Sequence, residues 1–214
     1  MQKNIKIIIS LLVLISLIIL FSLLSKTNNQ SIENHSFNSL NQEEIKWLVF
    51  MREEEKLARD VYKTLGDKWG LPIFSNISSS EQTHTDAVKN LLNKYNVSDP
   101  VVDDEIGVFQ SEILQKLYFD LVNEGNLSLD QALKVGAEIE DLDINDLDLA
   151  MKQTNEQDIL QVYANLQKGS RNHLRSFVRQ IESRSGKYIP KYISIENYNS
   201  IISNGQERGQ YLNN

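Results

Sequence analysis

The chain has 214 residues, a formal net charge of −7, no cysteine, 3 prolines and 9 glycines. Lys3, Lys6 and Lys26 are the only charges before residue 28, which leaves −10 on residues 28–214 (−7 less +3) and makes a phosphate backbone, and so nucleic acid, a poor partner. Without cysteine there are no disulfides, thiolate metal sites, Cys nucleophile or lipid-modified Cys, and the scarcity of Pro and Gly among recurring Leu, Glu, Gln, Lys and Ala favours an all-α fold.

Residues 1–6 are basic, and residues 7–24 form an apolar run broken only by Ser10, Ser16 and Ser22. The run is at the lower edge of bilayer-spanning length, and no small-x-small cleavage site follows it. Residues 1–27 therefore read as an uncleaved signal anchor, with a cleaved signal peptide as the alternative. Lys3 and Lys6 keep the N-terminus inside and export the rest, so the expected location is extracytoplasmic, at the membrane or secreted. Residues 28–41 read as a polar linker in which His35 is a solvated side chain.

The first long helix is predicted over 42–69, with Asn41 and Glu44 as a capping box and Gly70 and Pro72 as its stop. Glu55 interrupts its apolar stripe of Ile45, Leu48, Met51, Ala58, Tyr62 and Leu65. Glu54 lies on the neighbouring stripe as a rival, and Glu53 is expected to be solvated. A second helix is predicted to start at about Ser75 or Ser78 and run to Tyr95. Glu81 and His84, three residues apart, interrupt its stripe of Ile77, Val88 and Leu91. Ser78 with Glu81 would also make a capping box and explain Glu81 without metal, whereas a mid-helix His84 has no such role.

The connection 96–109 carries a solvated acidic run at Asp103–Glu105, and a short helix follows over 111–123 with Ile113, Leu117, Phe119, Leu121 and Val122. A third long helix is predicted from Ser128 to about Gln153, its buried face carrying Leu133, Ala137, Glu140, Asp143, Ile144 and Leu147. Glu138, Asp141 and Asp146 are expected off that face. The fourth, over 156–183, has the stripe Ile159, Tyr163, Leu166, Ser170, His173, Phe177 and Ile181. Arg171, Arg175 and Arg179 are expected to pair with the acidic face of the third helix. Tyr188 to Ile193 is expected to pack extended over a bundle spanning 42–195, followed by a polar tail over 196–214.

Four helices thus each bring ligand-type residues to an apolar stripe: Glu55, then Glu81 and His84, then Glu140 and Asp143, then His173. An unpartnered buried polar group costs about 1–3 kcal/mol, so the coincidence predicts a shared partner. Carboxylate and imidazole without thiolate suit iron or manganese, with zinc possible. The partners expected are metal ions, the membrane through the N-terminal segment, and a second copy of the chain as a homodimer.

Glu55-Lys-Leu-Ala58-Arg-Asp-Val-Tyr62 resembles the first-helix E-x-x-A-x-x-x-Y pattern of ferritins and rubrerythrins. Glu81-x-x-His84 resembles their second-helix motif, and Glu140-x-x-Asp143 the two-carboxylate third helix of rubrerythrins. More closely, MREEEKLARDVY, SEQTHTDAV, GAEIEDLDI and GSRNHLRSFVRQIE are similar to a prokaryotic ferritin-like family known as a domain of unknown function, over roughly residues 42–195. The resemblance implies a ferritin-like four-helix bundle and a di-iron or di-manganese centre with Glu55 preferred to Glu54. It implies Tyr62 as a neighbour of the ligands and, if the protein is an enzyme, ferroxidase- or peroxidase-like chemistry. It also implies a second Glu-x-x-His in the fourth helix, but Ser170 stands three residues before His173, which leaves Asp143 as the candidate replacement for the missing carboxylate. Without that replacement the site is mononuclear, asymmetric or empty, and the alternative is an exported binding module with a degenerate site. A hydrolase using Glu81 or Glu140 as base lacks any nucleophile elbow, phosphate loop or triad.

Overall fold

The computed structural model describes residues 40–209, so the apolar run, His35 and nearly all of the polar linker lie outside it. Among the described residues there are six helices and no strands: α1 (Gln42–Trp69), α2 (Pro72–Lys94), α3 (Glu112–Gly125), α4 (Leu129–Met151), α5 (Gln157–Glu182) and α6 (Ile195–Ser203). None of them is long and apolar enough to cross a membrane.

Short connections fold α1 onto α2 and α4 onto α5, and the two hairpins close against each other through α1–α4 and α2–α5 contacts. The Asn41 capping box forms as expected, its side chain accepting from the backbone N–H groups of Glu43 and Glu44. Helix α2 starts earlier than expected, at Pro72 in the first turn, where the missing N–H costs nothing. Ser78 is therefore mid-helix, and its hydroxyl donates to Arg59 O instead of capping Glu81. The capping role for Glu81 disappears with it.

The apolar interior comes in two clusters. One contains Leu48, Met51, Val88, Leu91, Leu147, Ile159, Tyr163 and Leu166, from the first half of α1, the second half of α2, the end of α4 and the start of α5. The other contains Ala58, Tyr62, Leu65, Phe74, Ile77, Leu133, Ala137, Leu174, Phe177 and Ile181, from the opposite ends of the same helices. Between them in each helix lie the interrupting residues: Glu55, Glu81 with His84, Glu140 with Asp143, and Ser170 with His173. Helical spacing places each interruption at one height along its own axis, and the antiparallel hairpins bring those heights together.

The polar side of α1 has its own task. Arg52 pairs with Asp99, its Nε and Nη2 each 3.1 Å from a carboxylate oxygen. Glu53, expected to be solvated, is buried and accepts the backbone N–H of Gln110 at 2.6 Å and of Ser111 at 3.2 Å. Lys56, fully buried, lies 2.6 Å from Asp60 and donates to the carbonyls of Glu105 and Val108, while Asp60 accepts Gly107 N–H. These groups fasten the connection 96–111 along α1. A loop without regular structure needs such partners for its backbone amides wherever it is buried. The acidic run at 103–105 is exposed, as read from sequence.

Three further expectations are corrected. Asp141 is fully buried, accepting from Tyr188 Oη at 2.7 Å and from the backbone N–H groups of Lys191, Tyr192 and Ile193, so it ties the extended 188–193 segment to α4. Arg171 and Arg175, expected to pair with the acidic face of α4, form their described ion pairs with Glu207. The C-terminal segment read as a polar tail contains α6, which buries Tyr198 and Ile201. In α3 the inward residues are Leu114, Tyr118 and Leu121, whereas Ile113 and Phe119 are exposed.

Candidate metal centre

Glu81 is the hinge of the polar layer. Its Oε2 lies 2.7 Å from His84 Nδ1, and its Oε1 lies 2.7 Å from His173 Nδ1. Each histidine has a second carboxylate beside it: Glu55 Oε2 is 3.3 Å from His84 Nδ1, and Glu140 Oε2 is 3.5 Å from His173 Nδ1. The result is two clusters of ligand atoms, Glu55–Glu81–His84 and Glu81–Glu140–His173, each compact enough to surround one ion and joined through one carboxylate. The imidazoles stack with centroids 5.6 Å apart.

These approaches are short, yet Glu55 Oε1, Glu81 Oε1, His84 Nδ1 and His173 Nδ1 are all buried without a partner in hydrogen-bond geometry. In each cluster the candidate ligand atoms lie within 4.8 Å of one another. A buried layer of this kind is costly unless a cation or protons occupy it. The donor set of the two clusters, three carboxylates and two imidazoles without thiolate, is of a kind that can hold metal ions. On both counts the residues fit a bound cation.

Asp143 stands apart from the two clusters. It is buried, its Oδ2 accepts from the Ser170 hydroxyl, and its Oδ1 has no partner. Ser170 thus does not supply a ligand in place of the expected Glu; it orients the α4 carboxylate facing it. Tyr62 Oη lies 2.6 Å from Glu140 Oε1 and 3.2 Å from Gly136 O, so the phenol donates to a ligand carboxylate. Such outer hydrogen bonds fix a ligand's orientation.

The electrostatics are those of a site that holds protons when it holds no metal. Burial pushes the Glu55 carboxyl up to about 7, although His84 opposes the rise. Burial also raises Glu140, and it raises Asp143 well above the usual range with Glu55 adding to the effect. For His173 burial favours the neutral ring, but Glu81 and Glu140 outweigh it and lift the imidazole to about 10. His84 is raised in the same way by Glu81 and Glu55. Burial works against ionised Glu81 as well, but the two imidazoles dominate and hold it below the ordinary carboxylate range.

One residue of the site carried no readable signal in the sequence. Gly169, directly before Ser170 on α5, lies against the His84 ring, and a Cβ there would fall 2.6 Å from Nε2. A glycine within a helix costs roughly 1 kcal/mol relative to alanine, and here the missing side chain is the space for the imidazole. Gly169→Ala is expected to displace His84, lower stability by about 1–3 kcal/mol and reduce metal uptake. Thermal unfolding with elemental analysis checks this, and an unchanged metal content would refute the packing role.

The chain is similar to the "Uncharacterized protein MJ0754" of Methanocaldococcus jannaschii, with 56% identity over 170 residues, which is 79% of this chain and 92% of that protein. It also matches the crystal structure titled hypothetical protein MJ0754 from Methanococcus jannaschii, with a TM-score of 0.78 and 53% identity, covering 83% of this chain and all of that one. Residues 44–205 match the family model described as "Uncharacterized protein domain (DUF2202)", a span that includes every residue of the polar layer, and the chain belongs to that family.

Proposed function

We propose that this protein is a ferritin-like four-helix-bundle metalloprotein with a dinuclear iron or manganese centre that handles iron, dioxygen or peroxide. The observation that carries the reading is Glu81, whose two oxygens face two different histidine–carboxylate groups. Glu55 and His84 would hold one ion, Glu140 and His173 the other, and Glu81 both. Asp143, with its unpartnered Oδ1, would complete the set. A bound pair of redox-active ions would supply electron transfer to an oxygen species and charge stabilisation of what forms. The chain's own contribution is to hold the carboxylates in a water-poor layer, with Tyr62 and Ser170 fixing Glu140 and Asp143 by hydrogen bonds. The histidine edges are the more accessible part, with side chains 11% and 12% exposed against 1% for Glu81, which supports approach of a small oxidant between α2 and α5.

Export and membrane tethering through residues 1–27 belong to the same proposal, supported by the apolar run behind Lys3 and Lys6. A second reading, a non-catalytic exported binding module, is favoured by Ser170 standing where the resemblance calls for a carboxylate. The full chain, solubilised in detergent and purified without chelator after growth with iron and manganese, separates the two. The metalloprotein reading expects about two metals per chain, with a spectroscopic signature of magnetic coupling. A chain without stoichiometric metal would leave only the binding module.

A further inference from the structure

The three glutamates at 53–55 have different fates. Glu53 is satisfied by two backbone N–H groups, and Glu55 has His84 Nδ1 3.3 Å from its Oε2. Glu54 is 2% exposed, yet neither of its oxygens has a hydrogen-bond partner. The charges that act on it most strongly are other acids, Asp146 first and Asp143 second. Asp143 and Asp146 are one turn apart on α4, so Glu54 sits beside Asp146 as Glu55 sits beside Asp143. Asp146 is half-buried, and Asn145 donates to its Oδ1 at 2.8 Å.

Asp146, Glu54 and Asp143 are therefore a line of acidic neighbours that begins at the half-buried Asp146 and ends at the polar layer. No cationic side chain is paired with Glu54 or Asp146 among the described ion pairs. Every other buried acid of α1 has a donor or cation beside it.

Resting on the metal-centre reading, we infer that Glu54 and Asp146 form a separate transit site for a divalent transition-metal cation, which loads the centre by way of Asp143. Two protein carboxylates hold such an ion weakly enough for it to move on. A full ligand cage would trap it. The third acid of the line, Asp143, hands over to the ligands while Ser170 holds its other oxygen. The site would act on the rate of loading and not on the final content, because neither Glu54 nor Asp146 reaches either ligand cluster.

The test is the time course of Mn²⁺ uptake by the metal-free full chain in detergent, followed by loss of the free-ion resonance and by chelator quench with elemental analysis. Glu54→Gln and Asp146→Asn are each expected to slow loading about tenfold while the final content stays that of the wild type. The double variant is expected to be no slower than either single one. Glu182→Gln, removing an exposed carboxylate elsewhere, is expected to load at the wild-type rate. Wild-type rates in both single variants would overturn the inference and leave the pair as two acids sharing a proton. Equal slowing by Glu182→Gln would reduce it to net charge. A lower final content in Glu54→Gln would make Glu54 a ligand and not a transit group. A wild-type chain that takes up no Mn²⁺ would instead bring down the metal centre itself.

Discussion

Glu81→Ala is expected to remove both metals at once, whereas His84→Ala removes one and leaves the Glu140–His173 half loaded. The asymmetry follows from Glu81 being the one carboxylate common to both clusters. In the metal-free protein the same change strips the two imidazoles of the oxygens that lie 2.7 Å from each. Leaving a buried charge without its counterpart costs about 3–5 kcal/mol, so Glu81→Ala is also expected to be the most destabilising single substitution in the layer. Elemental analysis of the two variants, beside urea unfolding in chelator, reads both effects. Equal metal loss in the two variants would argue for a centre that cannot hold a single ion. Full metal content in Glu81→Ala would contradict the shared-carboxylate geometry outright.

The metal-free protein is expected to lose stability steadily as pH rises from about 5 to about 9. The sign follows group by group. Glu55 has its folded value raised to about 7 from 4.5, so the folded state retains a proton that the unfolded chain has released; this contribution is complete below 4.5 and is lost by 7. It amounts to roughly 3 kcal/mol. His173, raised to about 10 from 6.5, contributes fully below 6.5 and loses its contribution as pH climbs toward 10. Glu81 runs the other way, its stabilisation present above 4.5 and lost on acidification. The metal-free chain is therefore most stable near the ordinary carboxylate range. Divalent ions bind the deprotonated ligands, so their affinity rises over the same interval in which the metal-free layer weakens. The melting temperatures with and without Mn²⁺ are expected to diverge as pH rises. A metal-free chain whose melting temperature is flat or rises between pH 5 and 9 would show that the layer holds its charges by some other means.

The string Arg52–Asp60 shows why one sequence supports two readings. Its helical spacing presents Glu55 to the interior, and that was legible because the apolar residues on either side, Met51 and Ala58, define the stripe. Glu53 reads as solvated because helical periodicity by itself assigns to water whatever is not apolar. Here it meets the backbone of the 96–111 connection, a segment with no period of its own, as do Lys56 and Asp60. The same assumption misplaced Asp141, whose partners are three backbone N–H groups and a phenol about 50 residues further along the chain. Ser78 misled differently: it has the composition of a cap, but Pro72 six residues earlier had already started the helix.

Alone, the sequence determines the four long helices to within a turn or so, the apolar stripe on each, and the residues that interrupt those stripes, because a period of 3.6 is a local property of the chain. It also determines the chemistry on offer, carboxylate and imidazole without thiol. What only the tertiary structure decides is that the interruptions lie at one level between two apolar clusters, that Glu81 turns one oxygen to each histidine, that Gly169 makes room for a ring on another helix, and that Glu54 is sealed against Asp146. Each depends on the height at which one helix packs beside another, which is set by the connections and by side-chain volumes across the interface. No spacing within a single helix records it.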